Sequence, residues 1–207
     1  MNKNLTDITV VLDRSGSMGD CWDDTLGGLN NFIEDQKTGP GLARFTLRTF
    51  DTVHETPIKS LDIRDVPKIT KRHADPRGGT ALLDAIGKAI YEKGKELSEL
   101  QEKDRPFKVV MVIQTDGYEN QSREFTAKLI KEMVEHQTNK YSWNFVYLGA
   151  DIDAFANNES FGFSNQHTAS YGKMNTGDSF DSLSQNIKSY RGTNQQTAHN
   201  LAAGIGK

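Results

Sequence analysis

The sequence predicts a three-layer, Rossmann-like α/β domain: a mainly parallel central sheet with one antiparallel edge strand, flanked by helices. Three observations point there. Largely apolar runs at residues 8–12 and 107–113 lack the alternation of a half-solvated strand, so each is read as a strand buried on both faces. Amphipathic helical stripes alternate with strands along the chain, the pattern of a sheet covered by helices. The 207 residues, 35% of them hydrophobic, allow one substantial core and are short for two.

Taken in order, residues 8–12 make the first strand. Trp22, Leu26, Leu29 and Ile33 recur at steps of four, three and four, which is one face of a helix, and Gly39-Pro40 stops it. Ala43, Phe45, Leu47 and Thr49 alternate with Arg44, Thr46 and Arg48, a strand with one more polar face. Residues 53–58 are its hairpin partner, and Pro57 favours an edge position. The polar stretch 59–79 holds Pro67, Pro76 and Gly78-Gly79 and reads as a loop with one short helical turn. A helix from Ala81 turns Leu82, Ile86, Ala89 or Ile90, and Leu97 inward. Residues 107–113 form the strongest strand, Phe125, Leu129, Ile130, Met133 and Val134 the stripe of the next helix, and residues 143–148 another strand ending at Gly149. The remainder is richer in Asn, Gln, Ser and Gly. It is read as a short helix at 153–158, an edge strand at 168–171, and a helix at 178–190 with Asp178 as its cap. The domain is assigned to residues 1–190, and 191–207 to a frayed polar tail in which 201–205 could dock locally.

Composition removes several function classes. The net charge is -3, from 25 Lys plus Arg against 28 Asp plus Glu, with the basic residues scattered, so neither nucleic acid nor an anionic membrane is an expected partner. Cys21 is the only cysteine, which leaves no internal disulfide and no zinc cluster, and it reads as a buried side chain. The first seven residues are polar, without a signal segment, and no stretch approaches a membrane span, so a cytoplasmic location is expected. No Gly-x-Gly-x-x-Gly follows the first strand and no Gly-Lys-Ser/Thr phosphate loop occurs, so the fold is not expected to bind nucleotide.

Three short segments gather oxygen groups. Asp13-Arg14-Ser15-Gly16-Ser17 ends the first buried strand with one carboxylate and two hydroxyls. Gly78-Gly79-Thr80 opens the Ala81 helix, and Thr115-Asp116-Gly117 follows the strongest strand. Each has an ordinary explanation alone: a turn for Asp13 to Ser17, a helix N-cap for Thr80, a turn for Asp116. Together, at one edge of a parallel sheet, they bring two carboxylates and three hydroxyls toward a common point, where open α/β sheets place ligands. An oxygen-only set suits a hard divalent cation such as Mg²⁺ or Mn²⁺, with Ca²⁺ less suited.

These segments resemble those of the von Willebrand factor type A family, which includes the integrin inserted domain. The metal-ion-dependent adhesion site of that family combines Asp-x-Ser-x-Ser, a distant Thr and an Asp after the central strand. Asp13-Arg14-Ser15-Gly16-Ser17 is similar to the first element, Thr80 in Gly-Gly-Thr-Ala-Leu to the second and Asp116 in Thr-Asp-Gly to the third, and the likeness covers roughly residues 5–190. The resemblance implies direct ligation by Ser15, Ser17 and Thr80, with Asp13 and Asp116 acting largely through bound water and Asp13 also orienting the serines. It further implies a binding module whose ion is completed by an Asp or Glu of a partner protein.

The surrounding surface would then carry Arg14, Met18, Arg77, Tyr118 and Glu119 as partner-contact candidates, while Trp22 reads as core. Stand-alone bacterial and phage members of the family resemble intracellular adaptors or regulatory subunits of ATPase or stress-response systems, and that is the expectation here. Two rival readings remain open. One is a metal-dependent phosphoester hydrolase, weakened because only His73 of the five histidines could come near the site. The other is a structural or assembly protein with a stabilising ion.

Overall fold

The computed structural model describes residues 1–116, 119–150, 161–163, 168–171, 176–198 and 200–205. The first apolar run is the core of strand β1 (Asn2–Asp13), which continues through a 3-10 turn (Gly16–Cys21) into helix α1 (Trp22–Lys37). Strands β2 (Leu42–Phe50) and β3 (His54–Asp62) form the hairpin. Helix α2 (Leu82–Glu99), strand β4 (Pro106–Thr115), helix α3 (Ala127–Tyr141) and strand β5 (Asn144–Ala150) follow. Strand β6 (Thr168–Tyr171) and helix α4 (Thr176–Arg191) complete the described elements.

The six strands form one sheet in the order β3-β2-β1-β4-β5-β6, antiparallel only between β2 and β3. The predicted mainly parallel, three-layer α/β plan is the observed one. Two apolar layers follow from the pleat, since alternate residues of a strand point to opposite faces. Val10 lies opposite Leu47 of β2 and Val112 of β4, and all three belong to the core under α1 and α4. Val11, Met111, Ile113 and Tyr147 turn the other way, into the core under α2 and α3. The register also levels the strand ends: Asp13 pairs with Phe50, and Leu12 with Gln114, so β1, β2 and β4 finish at one edge of the sheet.

Several boundaries differ from the sequence reading, each for a local reason. Lys59 to Asp62 extend β3 beyond the predicted end, past Ser60 at a φ of 47° and two irregularities of register. The predicted loop after it does contain one helical turn (Ile63–Asp65), but it is also packed: Ile63, Val66, Ile69 and Ala74 are buried, and Asn30 of α1 accepts from Ile69 N–H and donates to its carbonyl. Phe125 is not on α3. Thr126 caps that helix by accepting from Leu129 N–H, Leu129 is exposed, and Phe125 instead lies against Gly87 of α2. Asp178 stands in the first turn of α4 rather than at its cap. The helix expected at 153–158 lies outside the described residues.

The chain after α4 folds back onto the domain instead of fraying. Ala198, Leu201, Ala202 and Ile205 are buried in the core beneath α1 and α4. Three polar side chains hold this end. Lys108 of β4, buried, donates to the carbonyls of Tyr190 at 2.7 Å, Arg191 at 3.0 Å and Thr193 at 2.7 Å, capping the helix where its carbonyls lack partners. Asn144 donates to Gln196 O and accepts from Ala198 N–H, while Arg191 donates to Gln36 O at 2.6 Å.

The two glycines on the inner length of α2 make opposite predictions. A methyl group at Gly87 would fall within the Phe125 ring, whereas one at Gly94 meets only Gln137 Nε2 at 3.8 Å. Urea unfolding is expected to show Gly87→Ala destabilised by about 1–3 kcal/mol through overpacking. Gly94→Ala is expected to be stabilised by about 0.5–1 kcal/mol through helix propensity.

Candidate functional site

The level ends of β1, β2 and β4 put their following loops side by side, and the loops are bonded to one another. Arg14 N–H donates to Phe50 O at 2.8 Å, Arg77 N–H to Arg14 O at 2.8 Å, and Gly16 N–H to Gly78 O at 3.1 Å. Gly78 has a φ of +68°, the left-handed region that glycine enters without steric cost. On the other side Asn120 and Gln121 N–H both donate to Thr80 O, and Asn120 Oδ1 accepts from Thr80 N–H at 3.0 Å. The loop after β1 is therefore bonded to the loop before α2, which is bonded in turn to the loop after β4.

Within this frame Asp13 is fully buried. Its Oδ1 accepts from Ser15 N–H at 2.7 Å and its Oδ2 from the Thr115 hydroxyl at 2.6 Å. Ser15 Oγ lies 3.1 Å from Ser17 Oγ, and Ser17 Oγ donates to Asp116 Oδ1 at 2.8 Å. Ser17 is exposed, while Ser15, Thr80 and Asp116 are buried. The structure thus joins Asp13, Ser15, Ser17 and Asp116 in one polar cluster, with Thr80 held on the same edge by its main chain. Thr80 is not the helix cap: that position is Ala81, with no side-chain bond.

The predicted metal centre is corrected by this arrangement. Among the described residues no group of three or more His, Cys, Asp or Glu side chains could hold a metal ion. Several of the oxygens that would face an ion are hydrogen-bonded within the protein instead. Both Asp13 oxygens accept hydrogen bonds, and the Ser17 hydroxyl bridges directly to Asp116. The donor set does not fit a finished metal-ion-dependent adhesion site. The expected Mg²⁺ or Mn²⁺ (and Ca²⁺), the metal-dependent binding mechanism, and the partner Asp or Glu completing the ion's shell, with its ATPase or stress-response setting, are all withdrawn.

The surface candidates separate in the same way. Arg14 is buried, its Nε on Asp51 at 3.0 Å and its Nη1 on Glu55 at 2.7 Å. Arg77, half-exposed, reaches the same two carboxylates at 2.8 and 3.1 Å. Burial works against the charge on Asp51, but the Arg77 hydrogen bond, Val53 N–H and both guanidiniums hold its carboxyl below the usual range. Met18 is fully buried and Trp22 nearly so, both in the core. Glu119 accepts from Leu83, Gln121 and Ser122 N–H and from the Ser122 hydroxyl, so it caps α2 and closes its own loop. Tyr118 lies outside the described residues. Arg14, Met18 and Glu119 therefore hold the edge from within, and of the described candidates Arg77 alone presents a side chain outward. His73 bonds to Thr70 in its own loop.

Sequence reasoning missed Asp51, Glu55, Asp84 and Asn120. Asp51 carried the signal that identified Asp13 and Asp116, a carboxylate at the end of a strand. Asp84 accepts from Arg123, Glu124 and Phe125 N–H at 2.9 Å each and fixes the path into α3, a role that no local pattern marks.

Burial pushes the Asp13 carboxyl up from 3.8 to about 6, with Asp116 adding repulsion and the Thr115 and Ser15 hydrogen bonds opposing the rise. The folded state then holds the Asp13 proton more tightly than the unfolded chain, so stability from this group is greatest below its unfolded pKa. It declines as pH rises toward about 6. Relative to Asp13→Asn, the wild type is expected to lose about 3 kcal/mol of unfolding free energy between roughly pH 4 and pH 7. Paired urea titrations measure it, and a pH-independent difference contradicts it.

A family model for the von Willebrand factor type A domain matches residues 7–151. No curated protein matches the chain. Among solved structures, proximal thread matrix protein 1 from the mussel byssus is similar with a TM-score of 0.60 and 17% identity, over 92% of this chain and 47% of that one. Manganese-loaded Plasmodium vivax TRAP protein is similar with a TM-score of 0.61 and 16% identity, over 86% and 72% of the two chains. The D319A mutant of the PilB minor pilin from Streptococcus sanguinis has a TM-score of 0.61 and 12% identity, over 91% and 62%. At these identities the likeness shows the fold alone, and the chain spans about half the length of the mussel protein. A byssal thread protein and a pilin take away the ground for the cytoplasmic expectation. Among the described residues no helix is long and apolar enough to cross a membrane. With the family model covering most of the sheet and the strand order now described, the chain belongs to the von Willebrand factor type A domain family.

Proposed function

We propose that this domain is a non-catalytic protein-binding module whose contact surface is the sheet edge formed by the loops after β1, before α2 and after β4. One observation carries the reading: the three loops are cross-bonded into a single polar edge, from Gly16 to Gly78 and from Thr80 to Asn120, with Ser17 bridging to Asp116. A surface ordered before binding loses less conformational entropy when a partner docks. Gly16, Ser17, Gly19 and Asp20 are exposed on it, with Arg77 beside them, while Asp13, Ser15, Thr80 and Asp116 hold its shape from below. Contact with the partner is made by direct hydrogen bonds to these groups and to the loop backbone. The three similar structures, a thread matrix protein, TRAP and a minor pilin, agree with a role in assembly or adhesion rather than turnover.

Site-specific photo-crosslinking in the native host tests the surface. A crosslinker at Ser17 is expected to trap a discrete partner, and one at Lys128 on the outer face of α3 is not. Ser17→Arg is expected to lower affinity for the trapped partner about 5- to 30-fold, the range of one hot-spot residue, with circular dichroism confirming that the variant is folded. Equal trapping from both positions, or full affinity in Ser17→Arg, contradicts the reading.

A further inference from the structure

At the opposite edge of the sheet, a cavity of about 630 Å³ opens between the C-terminal halves of α2 and α3 and the start of β4. Its walls include Ile90, Leu97, Val109, Met133, Tyr141 and Trp143. Its size is that of a small-molecule site, and its apolar lining with a few polar groups is the usual make-up of one. Gly94 forms part of the wall: a Cβ there would meet only Gln137 Nε2 at 3.8 Å, so a bulkier side chain would project into open space. Tyr91, also lining it, is exposed, as is Tyr141.

The charge at the rim has one sign. Lys95 and Arg105 line the cavity, and among the described residues no Asp or Glu does. The negative ends of α2 and α3 lie nearby, but some of their carbonyls already have donors. Arg105 donates to the carbonyls of Ser98 and Leu100 at 3.0 Å each, closing the end of α2. Ser142 and Trp143 N–H donate to Thr138 and Gln137 O at 3.1 Å, closing the end of α3. Several of the carbonyls that would otherwise repel an anion are thus already engaged. Among the described residues Lys95 has no carboxylate within ion-pair distance, which leaves its ammonium available to a ligand.

We propose that this cavity binds one amphipathic carboxylate of the medium-chain fatty acid type, its tail between α2 and α3 and its carboxylate at Lys95. The apolar walls remove the tail from water, and the ammonium supplies a charge-assisted hydrogen bond to the head group. The site lies across the sheet from the loops of the protein-binding edge and does not depend on that reading.

Calorimetric titration of the full chain with dodecanoate below its micelle concentration, alongside dodecyltrimethylammonium, tests it. Saturable binding of one dodecanoate is expected, with a change in Trp143 fluorescence. Gly94→Phe, which fills the cavity, is expected to weaken dodecanoate at least tenfold. Lys95→Glu is expected to do the same and to remove the preference for carboxylate over ammonium head group. Circular dichroism confirms that both variants are folded. Non-saturable uptake, equal binding of the two head groups by the wild type, or full affinity in Gly94→Phe overturns the proposal. So does concentration-dependent dimerisation abolished by Gly94→Phe, since the cavity would then be an interface with a second copy.

Discussion

A buried carboxylate is costly unless each oxygen finds a donor, and Asp13 meets that condition by linking two strands. Ser15 N–H turns the chain immediately after β1, and the Thr115 hydroxyl fastens the turn to the end of β4. Everything at this edge follows from that pair of bonds. The turn places Gly16 N–H on Gly78 O, brings the Ser15 and Ser17 hydroxyls together, and points Ser17 at Asp116. Desolvation is compensated only in part, which is why the Asp13 carboxyl titrates near 6.

The same oxygen groups explain why the metal expectation arose and why the structure does not carry it. Hydroxyls and carboxylates at that spacing suit a hard cation, and they equally suit each other. Ser17 donating to Asp116, and Thr115 to Asp13, close the set by hydrogen bonds. Among the described residues no group of three or more His, Cys, Asp or Glu side chains gathers there to hold an ion. What stays is a pre-ordered polar edge on the fold shared with a thread matrix protein, TRAP and a pilin.

Sequence reading reached the elements that periodicity and burial decide. The apolar runs of β1 and β4 and the α1 stripe were legible because the face each buries is written at a local spacing, and even the edge strand Thr168–Tyr171 was found. At the site, Asp13, Ser15, Ser17 and Asp116 were legible because they gather within a few residues of the ends of two buried strands. Features that depend on distant partners were not. Glu119 looked like a surface residue, but the chain returning from β4 carries it to the start of α2. Arg14 looked exposed until Asp51 and Glu55 enclosed it. Polarity misled once more: residues 63–74 are polar on average, yet Ile63 and Ile69 anchor them in the core, while the docking allowed for residues 201–205 is made by Leu201 and Ile205. Lys108 and Asn144 hold the chain that leads into the second of these stretches, through bonds to the Thr193 and Gln196 carbonyls, and no sequence pattern marks such a bond.

Residue-resolved hydrogen exchange on Asp13→Ala and Thr115→Val tests most directly whether the Asp13 carboxylate holds the edge together. The account predicts that the Ser15, Gly16 and Arg77 amides exchange about tenfold faster or more in both variants, the loss of one charge-assisted bond, with Val110 and Val112 unchanged. Unaltered exchange at Gly16 and Arg77 in Asp13→Ala would show that the loops hold their arrangement without it, and would contradict the account.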